Sequence, residues 1–157
     1  MASKKAAKAG KQKFDSIGAS LINTNKGEWI QAGDGNEFMV LRISKETGAW
    51  SALVRAKAGQ VNPPHTHIGP ADFYVLSGGF DYRGGSARAG DWVYEPAGAV
   101  HEATSHPMDT VYLANVYGPV AFHGPDGKFS GILNGHVVQA MLDAAKQKKK
   151  AKMKKAA

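Results

Sequence analysis

The chain has 157 residues, 19 glycines and no cysteine. That length suits one domain with a core large enough to be stable alone. The missing cysteine excludes disulfides, thiolate metal sites and cysteine nucleophiles, leaving histidine and carboxylate as the strong metal ligands. The net charge of +7 belongs to the ends: residues 1–13 hold five lysines and 146–155 seven, neither with an acid, whereas 14–145 carry eight Lys and Arg against thirteen Asp and Glu, a net of −5.

In chain order, residues 1–13 read as a solvated basic tail. Phe14, Ile17 and Leu21 have rough helical spacing, but Gly18 and Ser20 weaken it, so 14–21 is at most a short lead-in. Glu28–Gln31 is a candidate first strand, followed by the turn residues 32–36. Phe38–Ile43 is a compact apolar run. Trp50–Ala56 alternates, with Trp50, Ala52 and Val54 on one side and Ser51, Leu53 and Arg55 on the other, which predicts a half-buried strand. Phe73–Leu76, Phe80–Arg83 and Trp92–Tyr94 are further strand segments separated by glycine turns. Thr110–Tyr117 is the strongest strand, rich in β-branched and aromatic residues. Val120–Phe122 and Phe129–Leu133 complete nine or ten short strands. Val137, Val138, Met141, Leu142 and Ala145 then fall at helical spacing behind Asn134, a residue able to cap a helix start, which predicts one helix over about 136–146. Residues 146–157 read as a second basic tail.

Many short strands with one terminal helix point to an all-β jelly roll or barrel, since closure removes exposed edges. Strands do not alternate with helices, which argues against a doubly wound α/β fold. The lysines sit among alanines at the ends rather than over a folded face with aromatics, so no specific nucleic-acid partner is expected. No apolar run reaches membrane-spanning length, and the N-terminal lysines precede no apolar signal core; a cytoplasmic location is the default expectation.

The chemistry concentrates at His65-Thr66-His67 and His101. In a strand, residues i and i+2 share a face, so His65 and His67 aim two imidazoles the same way. His101 follows the turn Pro96-Ala97-Gly98 and can arrive from a neighbouring strand. His106, His123 and His136 lie outside this arrangement and read as ordinary surface or hydrogen-bonded histidines.

Two segments carry a family resemblance. In the first, Gly59, His65, His67 and Gly79 stand in the frame of a glycine, five residues, H-x-H and a closing glycine, with Asp72 at the position of a glutamate. In the second, Gly90, Pro96, Gly98 and His101 stand in the frame of a glycine, five residues, P-x-G, two residues and a histidine. Together they resemble the two signatures of the cupin superfamily, which implies a cupin jelly-roll barrel over residues 14–145. Asp72 departs from the pattern. Being one methylene shorter than glutamate, it either ligates, or hydrogen-bonds to a ligand, or lines the pocket. The expected site has three histidines, with Asp72 as a candidate fourth ligand.

Residues 50–145 further resemble the small single-domain cupins that include acetylacetone-cleaving and dihydroxyacetophenone dioxygenases, and the cupin domain of ChrR-type anti-sigma factors. The resemblance implies Fe(II) on His65, His67 and His101, a small dicarbonyl or hydroxyketone substrate cleaved with O2, and assembly as a homodimer or tetramer. It also matches Arg83 and Glu95 to pocket residues of the acetylacetone-cleaving branch. If both point inward, they can pair and hold a polar substrate group. Trp50, Phe73, Tyr82, Trp92, Tyr94 and Tyr112 are candidates for the apolar wall. Imidazole suits Zn, Cu, Fe and Ni alike, so Zn, Mn or Ni stays open as the metal. Also open are a ligand-sensing, non-catalytic role like that of ChrR and a non-oxidative metal enzyme.

Overall fold

The computed structural model describes residues 12–13, 20–33, 35–83 and 85–155. The lead-in expected at Phe14 and Ile17 lies outside the described residues. Strands β1 (Gln12–Lys13) and β2 (Ser20–Leu21) form a short ladder, and a 3-10 turn follows at Thr24–Lys26. The body then comprises β3 (Ile30–Gln31), β4 (Asn36–Ile43), β5 (Trp50–Ala56), β6 (Val61–Asn62), β7 (His65–His67), β8 (Ala71–Ser77), β9 (Gly79–Tyr82), β10 (Gly85–Arg88), β11 (Trp92–Glu95), β12 (Val100–His101), β13 (Thr104–Ser105), β14 (Thr110–Val116), β15 (Val120–His123) and β16 (Phe129–Leu133). Helix α1 (Gly135–Lys155) closes the chain.

Three antiparallel sheets build a jelly roll. A six-stranded sheet runs β11-β8-β14-β5-β4-β3; two four-stranded sheets run β10-β9-β13-β6 and β12-β7-β15-β16. The alternation read from Trp50–Ala56 is what folds: Trp50, Ala52, Val54 and Ala56 are buried and the residues between them are not. On the neighbouring strands Phe38, Ala114 and Val116 join the same core, with Ala71 from β8 and Val120 from β15. Burying one face of each strand is the main apolar driving force, roughly 25 cal/mol per Å² removed from water. The connection between the six-stranded sheet and the β7 sheet is pinned where Gly69 and Gly118 meet: a Cβ on either would come 2.6 Å from the other's Cα.

Two expectations change. Residues 84–86 were expected to be only a turn, yet β10 starts at Gly85 and pairs with β9, Gly85 opposite Tyr82. Its sequence Gly-Ser-Ala-Arg has low strand propensity, and tertiary pairing overrides it. The helix is also longer than 136–146. Asn134 caps it, its Oδ1 accepting from the Val137 amide at 3.0 Å, and Val138, Met141, Leu142 and Ala145 pack on the core. Beyond Ala145 the apolar stripe ends, but Lys, Gln and Ala are strong helix formers and lysines suit the negative end of the helix dipole. Lys149 reaches Glu28 at 3.1 Å. Among the described residues no helix is long and apolar enough to cross a membrane.

Candidate metal centre

His65 and His67 sit on β7 at one residue's interval, and β7 lies between β12 and β15. The register puts His101 directly opposite His65 on one side and Phe122 opposite it on the other. The turn before β12 is fastened to β7 itself. The Ala99 amide closes it onto the Pro96 carbonyl at 3.0 Å. The His67 amide donates to the Ala99 carbonyl at 2.8 Å, and the Gly98 amide to the His67 carbonyl at 2.7 Å. Gly98 has φ of 82°, a conformation that L side chains adopt only with strain. The P-x-G spacing is therefore a backbone device that delivers His101 beside His65 and His67.

The ring centroids of His65 and His101 are 3.9 Å apart, those of His65 and His67 5.1 Å, and those of His67 and His101 5.5 Å. One nitrogen from each ring lies within 4.8 Å of the others, so the three histidines could hold a single ion. Their wiring fits that use. The His65 Nδ1 donates to the Pro63 carbonyl at 2.8 Å, and the His101 Nδ1 to the Glu102 carbonyl at 2.9 Å. A carbonyl only accepts, so both rings carry their hydrogen on Nδ1 and keep a lone pair on Nε2. His67 is 2% exposed, and both its nitrogens are buried without a partner among the described residues. A buried polar atom without a partner is costly, and an ion between the three rings would supply one. Burial pushes His65 down to about 4, with the Pro63 carbonyl acting against the shift and the neighbouring imidazoles adding to it. Burial and the nearby His101 do the same to His67, also to about 4. Both rings are thus neutral near pH 7, the form that binds a metal.

The centre opens on a cavity of about 390 Å³ inside the jelly roll. Glu95 is 3% exposed and lines it. Its carboxylate accepts from the Tyr82 hydroxyl, whose pKa burial and this bond push up to about 12. The Tyr82 ring stands 5.3 Å from that of His101. Trp50, Phe73, Tyr82 and Tyr112 line the cavity as the sequence led one to expect. Trp92 and Tyr94 do not: they are 62% and 52% exposed and stack on each other outside the six-stranded sheet.

Asp72 is not brought to the histidines. Along β8, Ala71, Phe73 and Val75 turn inward, so Asp72 falls on the outer face with Tyr74, opposite Tyr94 and Asn115. Its carboxylate is engaged there, accepting from Asn115 Nδ2 at 2.8 Å and from the Tyr117 hydroxyl at 3.0 Å. The expected Arg83–Glu95 pair is not formed either. Arg83 sits in the β9–β10 turn at φ of 49°, exposed, with its guanidinium donating to the Val100 carbonyl. It braces the strand that carries His101 instead of entering the cavity. Of the other histidines, His123 Nε2 pairs with the Thr66 hydroxyl at 2.7 Å, while His106 lines the cavity. Sequence reading missed His106. The signal was parity: Thr104 and His106 are buried and Ser105 between them is exposed, but only the β13–β6 register makes that alternation visible.

Comparison with known proteins places this geometry. Residues 18–121 match the family model of the ChrR cupin-like domain. The acetylacetone-cleaving enzyme of Acinetobacter johnsonii is 30% identical over 100 residues, and the match spans 60% of this chain and 65% of that enzyme's length. A crystal structure of acetylacetone dioxygenase from the same organism superposes with a TM-score of 0.71 over 92% of this chain and 99% of the other, at 22% identity, a likeness of fold. The anti-sigma factor ChrR in its complex with SigE from Rhodobacter sphaeroides gives a TM-score of 0.51 at 25% identity, over 60% of this chain and 51% of the other.

Proposed function

The chain belongs to the ChrR cupin-like family, and from that premise we propose that it is an Fe(II)-dependent cupin dioxygenase that cleaves a carbon–carbon bond in a small dicarbonyl or hydroxyketone. The observation that carries this reading is the triad: three neutral imidazoles with nitrogens within 4.8 Å of one another. His65 and His101 would bind through Nε2, and His67 through one of its buried nitrogens. Asp72 takes no part.

Three neutral ligands leave a divalent ion's charge uncompensated, so the site favours an anionic chelator such as the enolate of a dicarbonyl. A metal bound there supplies Lewis acidity and electron exchange with O2. Iron is favoured over zinc because zinc offers no redox chemistry. Glu95, anchored by Tyr82, is the buried carboxylate placed to take the proton from the carbon between the two substrate carbonyls. Tyr82, Phe73 and Tyr112 hold the substrate body and exclude water. Arg83 acts as a positioning residue, steadying β12 through the Val100 carbonyl.

The unit is proposed to be residues 14–145 with basic ends, working in the cytoplasm as a homodimer or tetramer. The outer face of the large sheet, where Tyr74, Leu76, Trp92 and Tyr94 are exposed, is the surface that supports pairing with a second copy. A second reading, a ligand sensor without turnover, is favoured by the family model itself, which is the ChrR cupin-like domain.

The deciding experiment is metal analysis of protein purified without a nickel column, combined with oxygen uptake on a panel of β-diketones and aryl hydroxyketones. The expected result is about one iron per chain and uptake that disappears in His65→Ala and His101→Ala. Uptake that survives either substitution overturns the reading. Full metal occupancy without uptake on any member of the panel favours the sensor.

A further inference from the structure

One buried imidazole in the cavity has no part in the chemistry above. His106 is 1% exposed. Both its backbone amide and its ring turn to one acceptor, the Gln60 carbonyl, at 2.9 Å from the amide and 3.3 Å from Nδ1. Facing a carbonyl, Nδ1 must carry the hydrogen, which leaves Nε2 with the lone pair. That Nε2 is buried and has no hydrogen-bond partner among the described residues, and the residue lines the cavity. Burial also holds the ring below its usual pKa, in its neutral form. A lone acceptor in an apolar enclosure calls for a donor.

The route from His106 to the triad is paved with rings on two sides. One file runs His67, Phe73, Tyr112, His106, with successive centroids 6.0, 5.9 and 6.3 Å apart. The other runs His101, Tyr82, Phe80, His106, with steps of 5.3, 5.8 and 6.1 Å. Tyr112 and Phe80 bridge the files at 5.6 Å. The His106 and Tyr112 rings lie within 12° of parallel. The cavity therefore has an imidazole acceptor separated from the triad by two rings on either route, and aromatic faces between them suit a flat, unsaturated body.

We propose that His106 Nε2 accepts a hydrogen bond from a hydroxyl group of the bound ligand, so that the preferred substrate carries a chelating oxygen pair at one end, a flat aromatic body, and a hydroxyl at the other. This deepens the dioxygenase reading and rests on it for the chelating end only. A carbonyl or ether in place of the hydroxyl offers no hydrogen to Nε2 and loses the contact. His106 thus selects by donor, where the triad selects by charge and chelation.

The test starts with metal-free protein labelled with ¹⁵N in its histidine rings, titrated with p-cresol and with toluene. The expected result is that p-cresol binds about tenfold more tightly than toluene, the worth of one buried hydrogen bond, and moves the His106 Nε2 resonance, whereas toluene leaves it in place. His106→Phe should abolish the preference while toluene still binds, which shows that the cavity is intact. His106→Gln, whose side-chain carbonyl also accepts, should restore part of it. Equal binding of the two probes, binding of neither, or p-cresol binding that leaves Nε2 unmoved overturns the proposal. With metal-loaded protein, 1-(4-hydroxyphenyl)-1,3-butanedione should bind about tenfold better than 1-phenyl-1,3-butanedione. Failure of the metal reading shows separately, as wild-type protein that retains no metal while the p-cresol preference stands.

Discussion

The two poles of the cavity use the same imidazole wiring and reach different chemistry. His65 and His101 give their Nδ1 hydrogens to backbone carbonyls one or two residues away, and His106 gives its own to Gln60 across a strand pair. In each case Nε2 is left as an acceptor. What separates the poles is number. Three nitrogens within 4.8 Å make a place for a cation; a single one makes a place for a hydrogen. A histidine's role in this fold is thus decided less by its own environment than by how many others the register brings beside it.

The sharpest way to break that comparison is to make the same change at both poles. His67→Gln should lower metal affinity by at least about 100-fold, because it removes a direct ligand where even outer partners are worth 10–100-fold. His106→Gln should leave metal affinity within about twofold, since the two sites share no partner. A competitive metal titration reads both. The next effect belongs to the carboxylate between the poles. Glu95→Gln should keep the metal and lower oxygen uptake on a β-diketone by about 100-fold, the usual scale for a lost general base. A variant that loses metal instead would make Glu95 part of the metal site.

Acidification tests the poles together. His65, His67 and His106 all have folded pKa values below the ordinary imidazole value, the first two at about 4. As pH falls below about 6.5 the unfolded chain takes up these protons before the folded one does. Stability of the metal-free protein is therefore full above that value and is lost progressively as pH drops toward 4. Denaturation midpoints measured from pH 7.5 down to 4.5 should decline through this window, and bound metal should move the decline to lower pH. The smallest effect is expected at the outer face. Asp72→Asn should leave metal affinity unchanged and cost at most about 1 kcal/mol, since its bonds to Asn115 and Tyr117 are partly exposed.

What could be read from the sequence was whatever depends on backbone periodicity. Trp50–Ala56 alternates in the sequence and alternates in burial. The spacing around His65, His67, Pro96, Gly98 and His101 encodes a turn and a register, and the structure uses both. Asp72 was misplaced because a motif position counts residues, whereas the inner or outer face depends on parity, and Phe73 takes the inner place. Arg83 escaped for a conformational reason: its left-handed backbone turns the side chain out of the strand's alternation. The helix beyond Ala145 was hidden because its apolar stripe stops there, while the helical propensity of lysine and alanine does not.

The turn at Pro96–Ala99 bears on time rather than on affinity. Because its backbone brackets the His67 amide and carbonyl, His101 cannot be drawn away from His65 and His67 without unfastening that turn as well. Ion exchange at such a centre is gated by a backbone opening rather than by the swing of one side chain. A chelator supplied in growing excess should strip the ion at a rate that rises and then levels off, the plateau being the frequency at which this turn comes undone.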